Sequence, residues 1–393
     1  MIQQETQHYP TKRIVQELQS HQLTWLEIDK QAFEHNIAQY KKIVHPTLLA
    51  IVVKSNAYGH GMHQIAALAE ENSNVDYLCT ASLSEAISLR QHAIKKPILV
   101  LSILDDTLEQ AFIHSIDIVV YSLQQALELK KIGTRLQKKI NVHIKIDTGL
   151  SRLGILHEVA VDFVKQLNTL SHLNIKGIFT HFAQSEKENQ TFTDLQIERF
   201  NQIIESLEKE KIYIPLKHSS CSAAITANAK SHFTMARAGI GIYGLWSSSE
   251  NKKLTEKTNS LFSLKPVLTW KTKIIQIKEV PAGSSVGYDR TYITKKISRI
   301  ATLPLGYWDG YDRKLSNKGF VYINNHRAQI VGRIAMNLMM VDITNITTGV
   351  GDEVIVLGKY DLISADDLAK NCETINYEFV TRINPLLPRI IKY

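Results

Sequence analysis

Eight short apolar runs recur between longer amphipathic stretches, and this alternation constrains the fold more than any other feature. The runs are Leu48–Val53, Val75–Ser82, Pro97–Ile103, Ile116–Tyr121, Asn141–Ile146, Ile175–His181, Ile214–Ser219 and Met235–Ile240. Helical spacing of apolar residues marks Asp29–Ile43, His63–Glu71, Leu83–His92, Gln124–Lys131, Val159–Leu170 and Thr193–Lys209 between them. Ile, Val and Leu line both faces of the short runs, as buried parallel strands require. Eight strand–helix units predict an α/β fold, a (β/α)8 TIM barrel. A doubly wound open sheet is the competing arrangement.

The rhythm changes after Leu245. Ser247–Leu264 is polar and irregular and reads as a linker. Beyond it, short alternating runs dominate: Val267–Ile277, Arg299–Leu303, Gly319–Ile323, Ala328–Val331, Leu338–Ile343 and Glu353–Leu357. Turn signals such as Pro281-Ala282-Gly283 separate them. One helix, Ser364–Asn371, follows, with Ser364 as its N-cap. A chain of 393 residues exceeds one ordinary core. The expected division is an extension over 1–22, a barrel over 23–255 and a mostly β C-terminal domain over 256–393.

Composition excludes several classes. With 44% hydrophobic and 21% charged residues the chain is an ordinary globular one, and no apolar run reaches bilayer length. Met1 to Arg13 is polar and does not read as a secretory signal. Cys79, Cys221 and Cys372 lie far apart, with no metal-ligand or disulfide spacing, which fits a reducing cytoplasm. The net charge of +8 is scattered over helical lysine pairs such as Lys130-Lys131. That pattern describes solvated helix faces rather than a nucleic-acid surface.

In such a barrel the working residues sit at the C-terminal ends of strands. Lys54 follows the apolar run Ala50-Ile51-Val52-Val53. It reads either as a surface lysine or as a partly desolvated amine suited to a Schiff base. Ser220-Cys221-Ser222-Ala223-Ala224 follows the seventh run, and Arg237-Ala238-Gly239-Ile240-Gly241 closes the eighth. Small residues after strands seven and eight let backbone N–H groups approach a phosphate. A phosphorylated carbonyl cofactor that pairs with lysine is pyridoxal phosphate.

Ala50 to Gly61, AIVVKSNAYGHG, resembles the cofactor-lysine motif of bacterial alanine racemases, pyridoxal-phosphate enzymes of fold type III. The resemblance continues in order through HIKIDTGLSRLGI (His143–Ile155), THFAQSE (Thr180–Glu186), SCSAA (Ser220–Ala224) and ARAGIGIYGL (Ala236–Leu245). In the second domain it runs through VGYDRTY (Val286–Tyr292), LPLGYWDG (Leu303–Gly310), GRIAMN (Gly332–Asn337) and LPRI (Leu387–Ile390). It covers the chain from about Trp25 onward and implies a barrel plus β domain.

The resemblance also implies roles. Lys54 matches the lysine that binds pyridoxal 5'-phosphate and serves as one catalytic base. Tyr288 matches the opposite base, which the family supplies from the partner subunit of a head-to-tail homodimer. Arg237 matches the arginine facing the pyridine nitrogen, and His181 a histidine linking that arginine to the tyrosine. A lone strand histidine by itself reads as a satisfied core residue. Tyr58, Ser222, Gly239 and Ile240 match phosphate contacts. Arg152 and Met336 match groups near the substrate carboxylate, and Tyr307 a gate. Lys145 matches a lysine that is often carbamylated. The implied activity is interconversion of L- and D-alanine for peptidoglycan.

Two positions depart from the family pattern. Asn337 stands where many relatives have aspartate, and Asn384-Pro385 where some have an entrance tyrosine. They bear on strict alanine specificity. A broad-specificity racemase and a non-catalytic pyridoxal-phosphate-binding protein are the alternatives.

Overall fold

The computed structural model describes residues 22–393, so the expected extension lies outside the described residues apart from Gln22. Two compact units divide the chain: Lys30–Val267, and a second formed by the segment ending at Asp29 with Leu268–Tyr393.

In Lys30–Val267 the barrel strands, in order, are Leu48–Val52, Tyr77–Ser82, Ile98–Ile103, Asp117–Val120, Ile140–Asp147, Leu173–Phe179, Leu216–His218 and Met235–Ala238. Each pairs in parallel with its successor as far as the seventh, and the eighth returns to the first with Arg237 opposite Ala50. Between seventh and eighth, Thr234 N donates to Lys217 O at 3.1 Å, so the circle nearly closes. Spatial order follows chain order with no reversal, which separates this barrel from a doubly wound sheet.

The helices follow from sequence patterning. Leu123–Leu136 buries Ala126, Leu129, Ile132 and Gly133, spaced three and four apart, and Ser122 Oγ accepts from Gln125 N at 3.2 Å as its N-cap. Each fully buried leucine or isoleucine contributes about 1.5–3 kcal/mol. The stretch expected to be an irregular linker contains a helix, Ser249–Thr258. Its buried face is polar: Asn251 Nδ2 and Thr255 Oγ1 both donate to Thr226 Oγ1, at 3.1 and 2.9 Å. Hydrogen bonds replace the apolar stripe that would have signalled it.

The second unit is built on a nine-stranded sheet among the described residues. Its order is Gln276–Val280, Ser298–Leu303, Met339–Asp342, His326–Ile330, Phe320–Ile323, Glu353–Leu357, Leu268–Lys273, Thr24–Asp29 and Arg389–Lys392. The expected strand Val267–Ile277 is two strands, broken at Ile274-Ile275. Along Leu268–Lys273, Leu268, Trp270 and Thr272 face inward while their neighbours stay partly exposed, the period-two pattern of a half-buried strand. Thr24–Asp29, which the sequence division grouped with the barrel, pairs antiparallel with Leu268–Lys273 and parallel with Arg389–Lys392. A six-residue strand carries no signal of which sheet it joins. The expected helix appears as Ala365–Asn371, capped by Ser364. Among the described residues no helix is long and apolar enough to cross a membrane.

Candidate active site

The first barrel strand runs into an unusual turn. Ser55, Asn56, Ala57 and Tyr58 all adopt left-handed backbone, with φ of 53, 54, 52 and 53°. Left-handed backbone costs a non-glycine residue about 1–2 kcal/mol, so the turn persists because it is tied down. Glu85 Oε1 accepts from Ser55 N at 2.6 Å, Asn56 Oδ1 accepts from Met62 N at 2.9 Å, and Gly61 N donates to Asn56 O at 2.9 Å. The turn presents Lys54, half-buried, whose amine is pushed below the ordinary lysine value by burial first and by Arg152 next. Its half-buried position and lowered proton affinity accord with the desolvated-amine reading.

Three further cations share this neighbourhood. Lys145, on the fifth strand, is 4% exposed; its Nζ donates to Leu101 O at 3.3 Å and lies 5.4 Å from the Phe179 ring centre. Burial, then Arg152, Arg237 and Lys54, lowers it to about 8. Arg237 is buried on the eighth strand, and burial lowers it to about 10, which leaves it a cation at neutral pH. Its Nη2 donates to Thr180 O at 2.9 Å and Ser219 O at 3.1 Å. Arg152 is exposed on the loop after the fifth strand.

The nearby carboxylates are engaged elsewhere. Asp147 Oδ1 accepts from Gly149 N and Leu150 N, both at 2.8 Å, and so shapes the loop that carries Arg152. Glu85 is spent on Ser55 N and Ala81 N. The cluster is built to receive an anion rather than to neutralise itself.

His181 follows the sixth strand with Nδ1 3.4 Å from Arg237 Nη2. Burial, followed by Arg237, Arg152, Lys54 and Lys145, pushes it well below the usual imidazole range, so it is neutral. Its charged neighbours are these cations.

Beside the cluster lies a cradle. Ser222 Oγ accepts from Gly239 N at 2.8 Å and Gly241 N at 3.2 Å. A Cβ at Gly239 would fall 2.7 Å from Tyr58 Oη, so the backbone there approaches as closely as a glycine allows. Ile240 is buried between the two glycines. Small residues, two hydroxyls and clustered backbone N–H groups suit a phosphate.

The remaining expected residues gather on one face of the second unit. Tyr288 is 70% exposed in the hairpin between Ser285–Val286 and Tyr292–Ile293, where Asp289 Oδ2 accepts from Arg333 Nε at 3.0 Å. Tyr307 N donates to Ala335 O at 3.1 Å and Trp308 N to Met336 O at 2.9 Å. Gly332 touches the Val286 carbonyl: a Cβ there would lie 2.4 Å from it. These contacts hold the Tyr288, Tyr307 and Met336 loops together, with Tyr307, Trp308, Met336 and Leu338 exposed. The candidate residues therefore form two groups, one on each unit.

Sequence reasoning missed Glu85, Asp147, Phe179 and His218. Asp147-Thr148-Gly149 carries a turn signature that could have found one of them. Among the described residues no group of His, Cys, Asp and Glu could hold a metal ion.

Comparison with known proteins agrees in both units. Residues 28–247 match the family model "Alanine racemase, N-terminal domain", and residues 267–391 match "Alanine racemase, C-terminal domain". The alanine racemase of Halothermothrix orenii is 40% identical over 374 residues, covering 94% of this chain and 97% of that one. The structure of alanine racemase from Clostridium difficile 630 superposes with a TM-score of 0.89 at 34% identity, covering 94% of this chain and 96% of that one. An alanine racemase from Bartonella henselae with covalently bound pyridoxal phosphate gives 0.81 at 26% identity, with 94% and 100% covered. Both domain models are matched in order along a barrel and a β unit of the expected kind, and the chain belongs to the alanine racemase family.

Proposed function

We propose that this chain interconverts L-alanine and D-alanine with pyridoxal 5'-phosphate as its cofactor. The observation that carries the reading is the desolvated Lys54 amine set among Lys145, Arg152 and Arg237, while the nearby Glu85 and Asp147 carboxylates accept from backbone N–H groups. The residues fit the cofactor. Ser222, Tyr58 and the backbone of Gly239 and Ile240 would hold its phosphate, Lys54 its aldehyde carbon, and Arg237 would face its ring nitrogen. A bound cofactor withdraws electrons from the substrate and makes the Cα proton acidic.

The chain's own residues do the rest. Lys54, with a lowered proton affinity, takes or returns the proton on one face of Cα. Tyr288 does so on the other, from a second copy of the chain. Its exposure, and the apolar surface of Tyr307, Trp308, Met336 and Leu338 around it, support a head-to-tail homodimer. Arg237 cannot give up its guanidinium proton, so the ring nitrogen gains none from it. His181, beside Arg237, would link it to that tyrosine. Arg152 and the Met336 backbone N–H receive the substrate carboxylate, and Tyr307 narrows the entrance.

Lys145 is suited to carbamylation. Its nitrogen bonds to the carbon of carbon dioxide, one proton leaves to solvent, and an anion stands beside Arg152. Carbon-13 NMR after incubation with labelled bicarbonate tests this; a carbamate resonance that is lost in Lys145→Ala is expected, and its absence from the wild type removes the idea. A cytoplasmic setting, supplying D-alanine for peptidoglycan, completes the reading.

The deciding experiment is purification with pyridoxal phosphate, borohydride reduction, peptide mapping and a chirality assay on alanine. Cofactor on Lys54 and equilibration of both enantiomers are expected. Label elsewhere, or unchanged L-alanine, overturns the proposal.

A further inference from the structure

A buried line of side chains crosses the barrel interior from its N-terminal end to Arg237. Asp117 opens the fourth strand, His143 lies within the fifth, His218 ends the seventh, and both histidines are fully buried. A guanidinium only donates. Arg237 Nη1 lies 2.6 Å from His218 Nδ1, so that nitrogen accepts and the His218 proton sits on Nε2. That Nε2 is 2.9 Å from His143 Nδ1, which accepts in turn and leaves the His143 proton on its own Nε2. The His143 Nε2 lies 3.6 Å from Asp117 Oδ2, beyond a hydrogen bond but within ionic reach.

Every N–H along the line points the same way, from a cation at one end to an anion at the other. Reversing either ring would set two donors against each other. Protonating either would add a cation beside Arg237. Burial, with Arg237 next, holds His218 well below the usual imidazole range; burial also lowers His143, against the opposing pull of Asp117. Asp117 is held at about 2, where hydrogen bonds and the charge of its neighbours outweigh burial.

The surroundings are shaped for this line. A Cβ at Gly177 would lie 2.1 Å from His143 Nδ1, so glycine is what leaves room for the ring. Phe179 stacks on His218 with ring centres 4.7 Å apart and 6° between planes. Tyr77 Oη and Lys176 Nζ donate to Asp117 Oδ2 at 2.8 and 2.9 Å, and Asn141 Nδ2 donates to Oδ1 at 2.8 Å. The carboxylate is thus fixed where it can orient the line.

We propose that Asp117, His143 and His218 are positioning residues that fix the orientation and the protons of the Arg237 guanidinium from across the barrel. The inference rests on the reading above only in taking the cofactor ring as what Arg237 faces.

Two measurements test it. Long-range nitrogen–proton NMR of the holoenzyme, labelled at histidine nitrogens, should find His143 and His218 neutral with the proton on Nε2. A proton on Nδ1, or an imidazolium at pH 7, overturns the proposal. In the holoenzyme, Asp117→Asn should disturb both tautomers, lower kcat about tenfold with KM within about twofold, and shift the pH at which the cofactor's visible band titrates. Lys165→Met, which removes an exposed ion pair with Glu210, should leave kcat and band as in the wild type. Wild-type tautomers, kcat and band in Asp117→Asn overturn the proposal. Should that variant fail to fold, the tautomers of the unaltered protein decide. A wild-type chain that leaves alanine unchanged sinks the functional reading, and the tautomer measurement still judges the line.

Discussion

The two groups of candidate residues are built on opposite principles. At the barrel end, the cations other than the exposed Arg152 are buried or half-buried, and the surrounding loops are held by backbone hydrogen bonds to Asp147, Glu85 and Ser222. On the β unit, Tyr288 and Met336 are 70% and 54% exposed on loops stapled to one another by close backbone contacts. The first group is preorganised for an anionic ligand. The second is a surface that exposes Tyr288 and Met336 together with Tyr307, Trp308 and Leu338. Under the proposed function, the first group would hold the cofactor and the second would serve a second copy of the chain.

The sharpest way to break this comparison is to remove the barrel's amine. Lys54→Ala should lower racemisation at least about 10⁴-fold and abolish the visible band of bound cofactor. A normal band in the variant would contradict the assignment. Tyr288→Phe tests the other face. It should cost about 10²–10⁴-fold and slow Cα–H exchange from one enantiomer far more than from the other, with the band intact. Equal, small losses in both directions would remove the two-base scheme.

Mixing the two inactive variants sharpens the comparison further. If each site combines Lys54 of one copy with Tyr288 of another, random reassortment restores about a quarter of wild-type activity. If both residues come from one chain, the mixture stays inactive.

The smallest effect concerns stability. Asp117 is depressed in the folded chain, so its contribution is present above the unfolded carboxylate value and is lost as pH falls through about 2. Asp117→Asn should remove about 2 kcal/mol at neutral pH and flatten the stability loss between about pH 4 and 2, as read by acid denaturation. An unchanged acid limb would show that the carboxylate is not held as described.

Much of the barrel was legible because parallel strands leave continuous apolar runs. Leu48–Val53 was expected and Leu48–Val52 observed. Lys54 was legible for the same reason, as a charge at the end of such a run. Thr24–Asp29 was not, because its pairing with Leu268–Lys273 joins residues remote in sequence. Ser249–Thr258 escaped because hydrogen-bonding side chains fill its buried face. The roles of Asp147 and His218 depend on which groups neighbouring strands and loops bring beside them, and a linear reading does not contain that.

The left-handed turn at Ser55–Tyr58 has a mechanical consequence. For residues with a Cβ the left-handed well is narrow, so successive torsions have little angular play. Lys54 is therefore mounted on a rigid bracket, and its flexible methylene stem alone supplies the reach for the amine to swing from one bonding partner to the next. Glycines in that turn would relieve the steric penalty yet turn the bracket into a hinge.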